Sequence, residues 1–523
     1  MDLRIRSFRQ AAFWSTGINA FSQGLALLFG ILMAAYFGAR ESTDVLYYCL
    51  GVFALLSTLV QQANVSVLVP ETMRRRHQVG ERDAMAFINR FLAFFLVAIL
   101  ALTLAAMSNP SGTLTTVSRL SKEALGRNST LVFWLLVSFP LQMVAQLLLD
   151  ILVSYKFLTL PATLSCVNRI LNVAFVVLFR NRFGVDSVAF GMVLGFALQV
   201  ALNLYLLVHV VHWQPLAWKT RVGGGIYRDI AWVQAGTLVS ALAGYLPLFL
   251  FSGFSAGAMT VLNYARRLSA MPSELLTSQI SSVVAVKFNE LAARGQAEEL
   301  RESYGKMSRL VVFVLTPLSA LLALLGPDIV SILFERGAYR GEAVESTARL
   351  FSLLVLNIPL AGMVAIVARF IVARQAIQYG TGWQMLSALL NAAMVFAWVK
   401  GLGPVGFPIG LIVHLSLYLA VLSVSMRRRF PALPLWPVWK SLFATLAACA
   451  VAAVPAWIVR AQWGAEASPW LAGGVLVLSF AAGYGAVLFV LPPDRMALRY
   501  CQEVVRAAWI QMRDGARAGI NSK

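Results

Sequence analysis

Apolar runs long enough to cross a bilayer recur from one end of this chain to the other, and few folds can accommodate that. A spanning helix needs about 20 predominantly apolar residues, and about fourteen such runs follow one another here. The chain is 59% hydrophobic and only 13% charged, a balance that excludes a soluble domain of 523 residues. The alternating ten-residue strands of a membrane barrel are missing. The expected fold class is an all-α polytopic membrane protein with about 14 transmembrane helices.

Charge then becomes a statement about orientation. The net charge of +20 would suggest nucleic acid in a soluble protein. Here it collects in alternate loops, as positive-inside topology requires. Those loops hold Arg74, Arg75, Arg76 and Arg82; Lys219, Arg221 and Arg228; Arg294, Arg301 and Lys306; and Arg427, Arg428, Arg429 and Lys440. Both termini are expected on the cytoplasmic side of a bacterial inner membrane, with anionic lipid at the basic face and no nucleic-acid partner. The tail, 494–523, places Arg495, Arg499, Arg506 and Arg513 on one helical face, which suits an interfacial helix. The N-terminal apolar run is interrupted by Asn19, Ser22 and Gln23, so it reads as a first membrane helix and not a signal peptide. Cys49, Cys166, Cys449 and Cys501 show neither pairing nor ligand spacing. His209 and His212 lack a nearby third ligand, so no metal is expected.

An internal repeat organises the spans. Arg9 and Arg228, Gly17 and Gly236, Gly38 and Gly257, Arg90 and Arg309, Pro140 and Pro359, Asn172 and Asn391, Gly184 and Gly403, and Gly191 and Gly410 are all 219 residues apart. This predicts an N-terminal lobe of helices 1–6 (residues 1–218), a C-terminal lobe of helices 7–12 (219–430), two extra helices (431–493) and the basic tail. Six is even, so both lobes have the same orientation, as in parallel-repeat transporters. Gly223, Gly224 and Gly225 lack the Lys-Ser/Thr of a phosphate-binding loop and read as linker.

The candidate site starts from residues 262–287, LNYARRLSAMPSELLTSQISSVVAVK. The stretch has spanning length yet contains Arg266, Arg267 and Glu274. A charge facing lipid costs roughly 2.5–3.5 kcal/mol. These side chains should therefore line a polar cavity, or else snorkel from a helix that starts late. Ser15, Asn19, Ser22 and Gln23 share a face of helix 1, as a packing seam or as cavity wall. Asn168, Arg169 and Asn172 form a polar patch in helix 5, in the cavity or snorkelling. Asp150 and Arg369 are repeat-equivalent and opposite in charge. They could pair and separate as gating residues, or each could snorkel at its own helix end.

The segments FSQGLALLFGILMAAYFGARESTD, LNYARRLSAMPSE, ILFERGAYRGEAVESTARL, ARFIVARQ and GPVGFPIGLIVHL resemble the MviN/MurJ group of the MOP (multidrug/oligosaccharidyl-lipid/polysaccharide) exporter superfamily. The resemblance covers nearly the whole chain. It implies a two-lobe flippase with a central cationic cavity, alternating access and a polyprenyl-diphosphate-linked saccharide as substrate. It implies roles for Asp44, before helix 2, and for Arg267, in the family's YAxRL pattern. The helix 1 and 2 arginines of lipid II transporters fall on Gln23, Phe29 and Ser57, and the acidic residue after the helix 8 arginine falls on Ala270.

These departures point to a polysaccharide or exopolysaccharide repeat unit as cargo, with lipid II as the alternative. A drug/cation antiporter of the same superfamily is a further alternative; it would need membrane carboxylates, for which only Asp44, Asp150 and Glu274 are available. The expected protein is a transporter and not an enzyme. No cofactor is expected, the drive being membrane potential or an ion gradient, and other glycan-assembly proteins are possible partners.

Overall fold

The computed structural model describes residues 8–503 and 506, apart from 156, 158, 219–223, 432, 464–467 and 491. It is 88% helical, with no strand among the described residues. A bilayer offers the backbone no water, so each span satisfies its own N–H and C=O groups as a helix. Among the described residues, twelve stretches are long and apolar enough to cross a membrane. The fourteen spans expected from sequence include α11 below, which is not among the twelve. They also count separately two helices that form one apolar stretch, Gln378–Arg429.

Contacts divide the chain into two compact units, residues 1–263 with 334–343, and 264–333 with 344–523. The first contains α1 (Phe8–Phe37), α2 (Glu41–Ala63), α3 (Val69–Gln78), α4 (Glu81–Ser108), α5 (Pro110–Val117), α6 (Lys122–Arg127), α7 (Ser129–Ser154), α8 (Thr159–Phe183), α9 (Asp186–His209) and α10 (Gly224–Phe251). A π turn, Asn64–Leu68, joins α2 to α3 just before Pro70. Proline has no N–H for the regular ladder, so the chain widens there. The repeat assigned α10 to the second lobe, whereas its packing is against α2 in the first unit. Glycines let these two helices approach: a Cβ on Gly51 would lie 2.9 Å from Leu248, and one on Gly244 3.0 Å from Leu55.

The helix α11 (Ala258–Ala293) is continuous across the boundary between Asn263 and Tyr264. The second unit continues with α12 (Ala297–Leu324), α13 (Gly326–Phe334), α14 (Glu342–Val355), α15 (Ile358–Ala373), α16 (Ile377–Leu402), α17 (Gly406–Arg429), α18 (Leu435–Trp463) and α19 (Pro469–Val490). Its core joins Val312, Leu360, Met363, Leu419, Val438 and Leu442 from four of these helices. The extra helices α18 and α19 pack through Ala452, Ala456 and Phe480 beside Leu321 and Leu324 of α12. Arg460 of α18 fixes that docking, donating to the Leu324 carbonyl at 2.9 Å and to Asp328 at 3.2 Å.

The 219-residue repeat is visible in the backbone. Gly38 and Gly257 have φ of 67° and 96°, and Gly184 and Gly403 have 57° and 64°. Glycine takes these values without the strain that a Cβ brings. Gly191 abuts Phe175, and its equivalent Gly410 abuts Met394, which is the equivalent of Phe175. An i,i+4 ion pair repeats as well, Glu71 with Arg75 and Glu290 with Arg294.

Two clamps close the ends bearing basic loops. Asn89 donates to the carbonyls of Gln214 (2.8 Å) and Ala217 (2.9 Å), and Arg90 to that of Trp218 (3.1 Å). Arg309, the equivalent of Arg90, grips Asp494 with two nitrogens at 2.5 and 2.6 Å. Asp494 also accepts from the N–H groups of Met496 (3.1 Å) and Ala497 (3.0 Å), capping the helix over 495–503. Burial works to raise the Asp494 pKa, but Arg309 and these N–H groups prevail and hold it below the usual carboxylate value. Arg513 of the expected tail face lies outside the described residues.

Candidate functional site

The condition on which a deep position for the arginines depends is where α11 begins, and it begins at Ala258. Arg266 and Arg267 therefore lie about two turns inside, at 3.6 residues per turn. Arg266 is exposed, Arg267 half-buried and Glu274 exposed. The Arg266 guanidinium lies 5.8 Å from the ring centroid of Phe407, in the first turn of α17. Pro272 sits inside the helix, between Arg267 and Glu274. Exposed charges on a helix of spanning length need water or a polar ligand, because lipid solvates neither sign. Arg369 reaches the same helix farther along, its Nε donating to Ser281 Oγ at 2.8 Å.

In the first unit, helix 1 and helix 5 of the sequence reading (α1 and α8) are brought together. Arg169 Nη1 donates to the Ser22 carbonyl at 2.9 Å, and Ser22 is buried. Gln23 beside it is half-buried, while the Asn19 side chain lies outside the described residues. Asn172 donates to Asn168 Oδ1 at 2.7 Å, and Asn168 to Gln199 Oε1 of α9 at 2.8 Å. This α8 patch thus carries hydrogen bonds between helices as well as polarity.

Asp150 has its own partners, Asn64 at the π turn and Gln146 one turn back at 3.0 Å. The repeat-equivalent charges, Asp150 and Arg369, are thus each hydrogen-bonded inside their own unit.

Asp44 is 4% exposed, and its carboxylate is occupied as a helix cap. It accepts from the N–H of Gly257 (2.5 Å), the N–H of Thr260 (2.9 Å) and the Thr260 hydroxyl (2.7 Å). A carboxylate at the start of α11 satisfies otherwise orphan donors and meets the positive end of the helix dipole. This end of the first unit is closed in two other places. Tyr48 and Tyr245 both donate to the Val117 carbonyl. The segment Phe334–Ala343 lies on the end of α1, the Ala338 N–H donating to the Ala35 carbonyl at 2.9 Å. No side chain fits there: a Cβ on Gly337 would meet the Ala35 oxygen at 2.1 Å, and one on Gly38 the Ala338 oxygen at 2.6 Å.

Sequence reading missed a polar contact one turn from Asn391. Ser387 Oγ and His414 Nε2 are 3.0 Å apart, joining α16 to α17. Positions 387 and 414 are the repeat equivalents of Asn168 and Gly195. The signal was present in the offset, but it falls on residues that differ between the copies. No group of three or more His, Cys, Asp or Glu placed to hold a metal occurs among the described residues.

A repeated set of membrane-length helices, with exposed charges on the long helix α11, is the pattern of a polytopic transporter. A solved structure described as an inward-facing multidrug resistance MATE family transporter of the MOP superfamily has a TM-score of 0.65 at 15% identity, covering 79% of this chain and 95% of that one. One described as "Lipid II flippase MurJ, inward closed conformation" has a TM-score of 0.72 at 16% identity, covering 91% and 98%. The profile of the family described as "Lipid II flippase MurJ" matches residues 33–478, and the chain belongs to that family. The lipid II flippase MurJ of Burkholderia cenocepacia is 24% identical over 506 residues, 91% of this chain and 96% of its own. A probable lipid II flippase MurJ from Aquifex aeolicus is 22% identical over 429 residues, 77% and 83% of the two chains. The chain is thus a MurJ-type flippase, a transporter and not an enzyme, in a bacterial membrane.

Proposed function

We propose that this protein moves lipid II, a polyprenyl-diphosphate-linked peptidoglycan precursor, from the cytoplasmic to the outer leaflet by alternating access. The relatives named as lipid II flippases favour this cargo over the polysaccharide repeat unit first expected from sequence. The observation that carries the chemistry is the exposed Arg266 with Arg267 on α11. Arginine is matched to phosphate oxygens in geometry and charge. In this reading the two arginines receive the diphosphate, and the prenyl chain stays in lipid. With both termini taken as cytoplasmic, as the basic loops suggest, the Asp44 cap and the 334–343 segment lie at the outer end of the first unit.

A second reading, another polyprenyl-diphosphate glycan, is favoured by one observation. Gln23, Phe29 and Ser57 stand where the resemblance implies arginines. Complementation separates the two. A strain depleted of its own peptidoglycan flippase should grow on this gene and fail on Arg267→Ala. Failure of the wild-type gene, with the protein inserted in the membrane, would overturn lipid II as cargo.

A further inference from the structure

A buried histidine in the second unit stands outside the proposed transport chemistry. His414 lies in the apolar helix α17 and is 5% exposed. Ionisable residues in a span are costly and mark function. Its Nε2 meets Ser387 Oγ, and its ring lies nearly parallel to Tyr418, 27° apart with centroids 6.1 Å apart. Its Nδ1 is buried without a hydrogen-bond partner, and so is Oδ1 of Asn391, one turn along from Ser387.

The repeat says what these two atoms are to each other. In the first copy position 414 is Gly195. A Cβ there would lie 2.2 Å from Asn168 Oδ1 and 3.1 Å from Asn172 Nδ2. Those residues are the equivalents of Ser387 and Asn391. The imidazole therefore takes space that Asn168 fills in the first copy, beside Asn391. The first copy closes its seam with amides, Asn168 on Gln199, which do not titrate. The second copy uses an imidazole, which can gain a proton.

We propose that His414 is a proton-binding site that couples lipid transport to pH, an inference that rests on the flippase reading for its cargo. The neutral ring has one N–H, so it can donate to Ser387 or to Asn391 but not to both. One proton from hydronium forms the second N–H bond and releases water. The imidazolium then donates to Ser387 Oγ and Asn391 Oδ1 together. The same step puts a positive charge into an apolar helix pair. It therefore favours a state of α16 and α17 in which the seam admits water.

Arg266 of α11 meets Phe407 of α17, seven residues and roughly 10 Å along the helix from His414. Tyr418 aside, the other charged and titratable groups on the packed helices are farther along their axes. Tyr379 and Lys400 lie 8 and 13 residues from Ser387, roughly 12 and 20 Å at 1.5 Å per residue. On α15, Arg369 is bonded to Ser281; on α12, Arg309 is bonded to Asp494. Lys440 opens α18, and Arg427, Arg428 and Arg429 close α17. Tyr418 is the titratable neighbour against the ring.

The experiment uses full-length protein in vesicles, with fluorescent lipid II and a clamped membrane potential. Wild-type transport should change about threefold or more between pH 5.5 and 7.5, and His414→Gln should lose that dependence. Asn391→Leu removes the acceptor and should move the midpoint by about one unit toward acid. Superimposable profiles for wild type and His414→Gln overturn the proposal. A second readout needs no cargo: histidine NMR of labelled protein in nanodiscs, with the His414 signal assigned by its loss in the variant. Titration between about pH 5 and 8 supports the site even where no lipid II moves, in which case the flippase reading fails alone. A signal that never titrates overturns the site whatever the transport result. If His414→Gln does not fold, Asn391→Leu carries both readouts, the His414 signal being assigned as the histidine resonance that this substitution shifts.

Discussion

The helix pairs α8–α9 and α16–α17 occupy the same register in two copies of one repeat, and they are closed by different chemistry. Both bring a glycine against the neighbouring helix, Gly191 on Phe175 and Gly410 on Met394. Both carry an asparagine at the equivalent place, Asn172 and Asn391. The first adds amides and the second a serine and a histidine. Backbone approach between helices depends on shape, so the glycine is held in both copies. The polar bond across the seam needs only a donor and an acceptor, so its chemistry is free to differ and one copy can acquire a titratable group.

The same contrast governs the repeated ion pair, where the largest effect is expected. Arg75 and Glu71 have side chains only 8% and 11% exposed, and Arg75 also meets Asp83 at 2.9 Å and the Phe87 ring at 4.9 Å. Glu71→Gln leaves a buried guanidinium short of its partner and should cost about 3 kcal/mol in denaturant or thermal unfolding. Glu290→Gln, in the equivalent pair with side chains 64% and 55% exposed, should stay within about 0.5 kcal/mol. Similar losses would break the distinction between copies.

Next in size is the second unit's clamp. Asp494→Asn weakens two charged bonds to Arg309 and should cost about 2 kcal/mol in attachment of the helix after 494, read as faster proteolysis there. Because the folded pKa of Asp494 is lowered, the contribution is present above the unfolded value near 3.9 and is lost as pH falls through the lower folded value. Arg90→Ala, in the first copy, removes one bond to a carbonyl and should cost about 1 kcal/mol or less in the same assay. Gly195→Ala tests the seam itself. The methyl group would lie 2.2 Å from Asn168 Oδ1 and should cost about 1–2 kcal/mol, seen as a lower melting temperature.

The spans were legible because lipid imposes them, and the repeat because a constant offset survives divergence. Gly38 and Gly257 were readable as a pair, but their positive φ was not. Asp44 illustrates what stays hidden. Sequence places it at the start of a helix, yet the donors it caps belong to residues 257 and 260. Its role depends on a contact made across more than two hundred residues, which no local pattern encodes. His414 lay inside a segment used for the resemblance, GPVGFPIGLIVHL. A single histidine in an apolar run has no ligand spacing, and its partner differs from the one in the first copy. The α11 arginines were visible because charge contradicts an apolar background.

The segment Phe334–Ala343 also dictates an order of assembly. Ten residues that complete the first unit are synthesised about seventy residues after the rest of it, roughly 4–14 s later at 5–20 residues per second. During that interval the Ala35 carbonyl lacks its N–H partner and Gly38 stands uncovered. The first half of the chain is therefore a precursor that its own second half finishes. A ribosome stalled shortly before residue 334 would hold a unit with every helix made and one end still open.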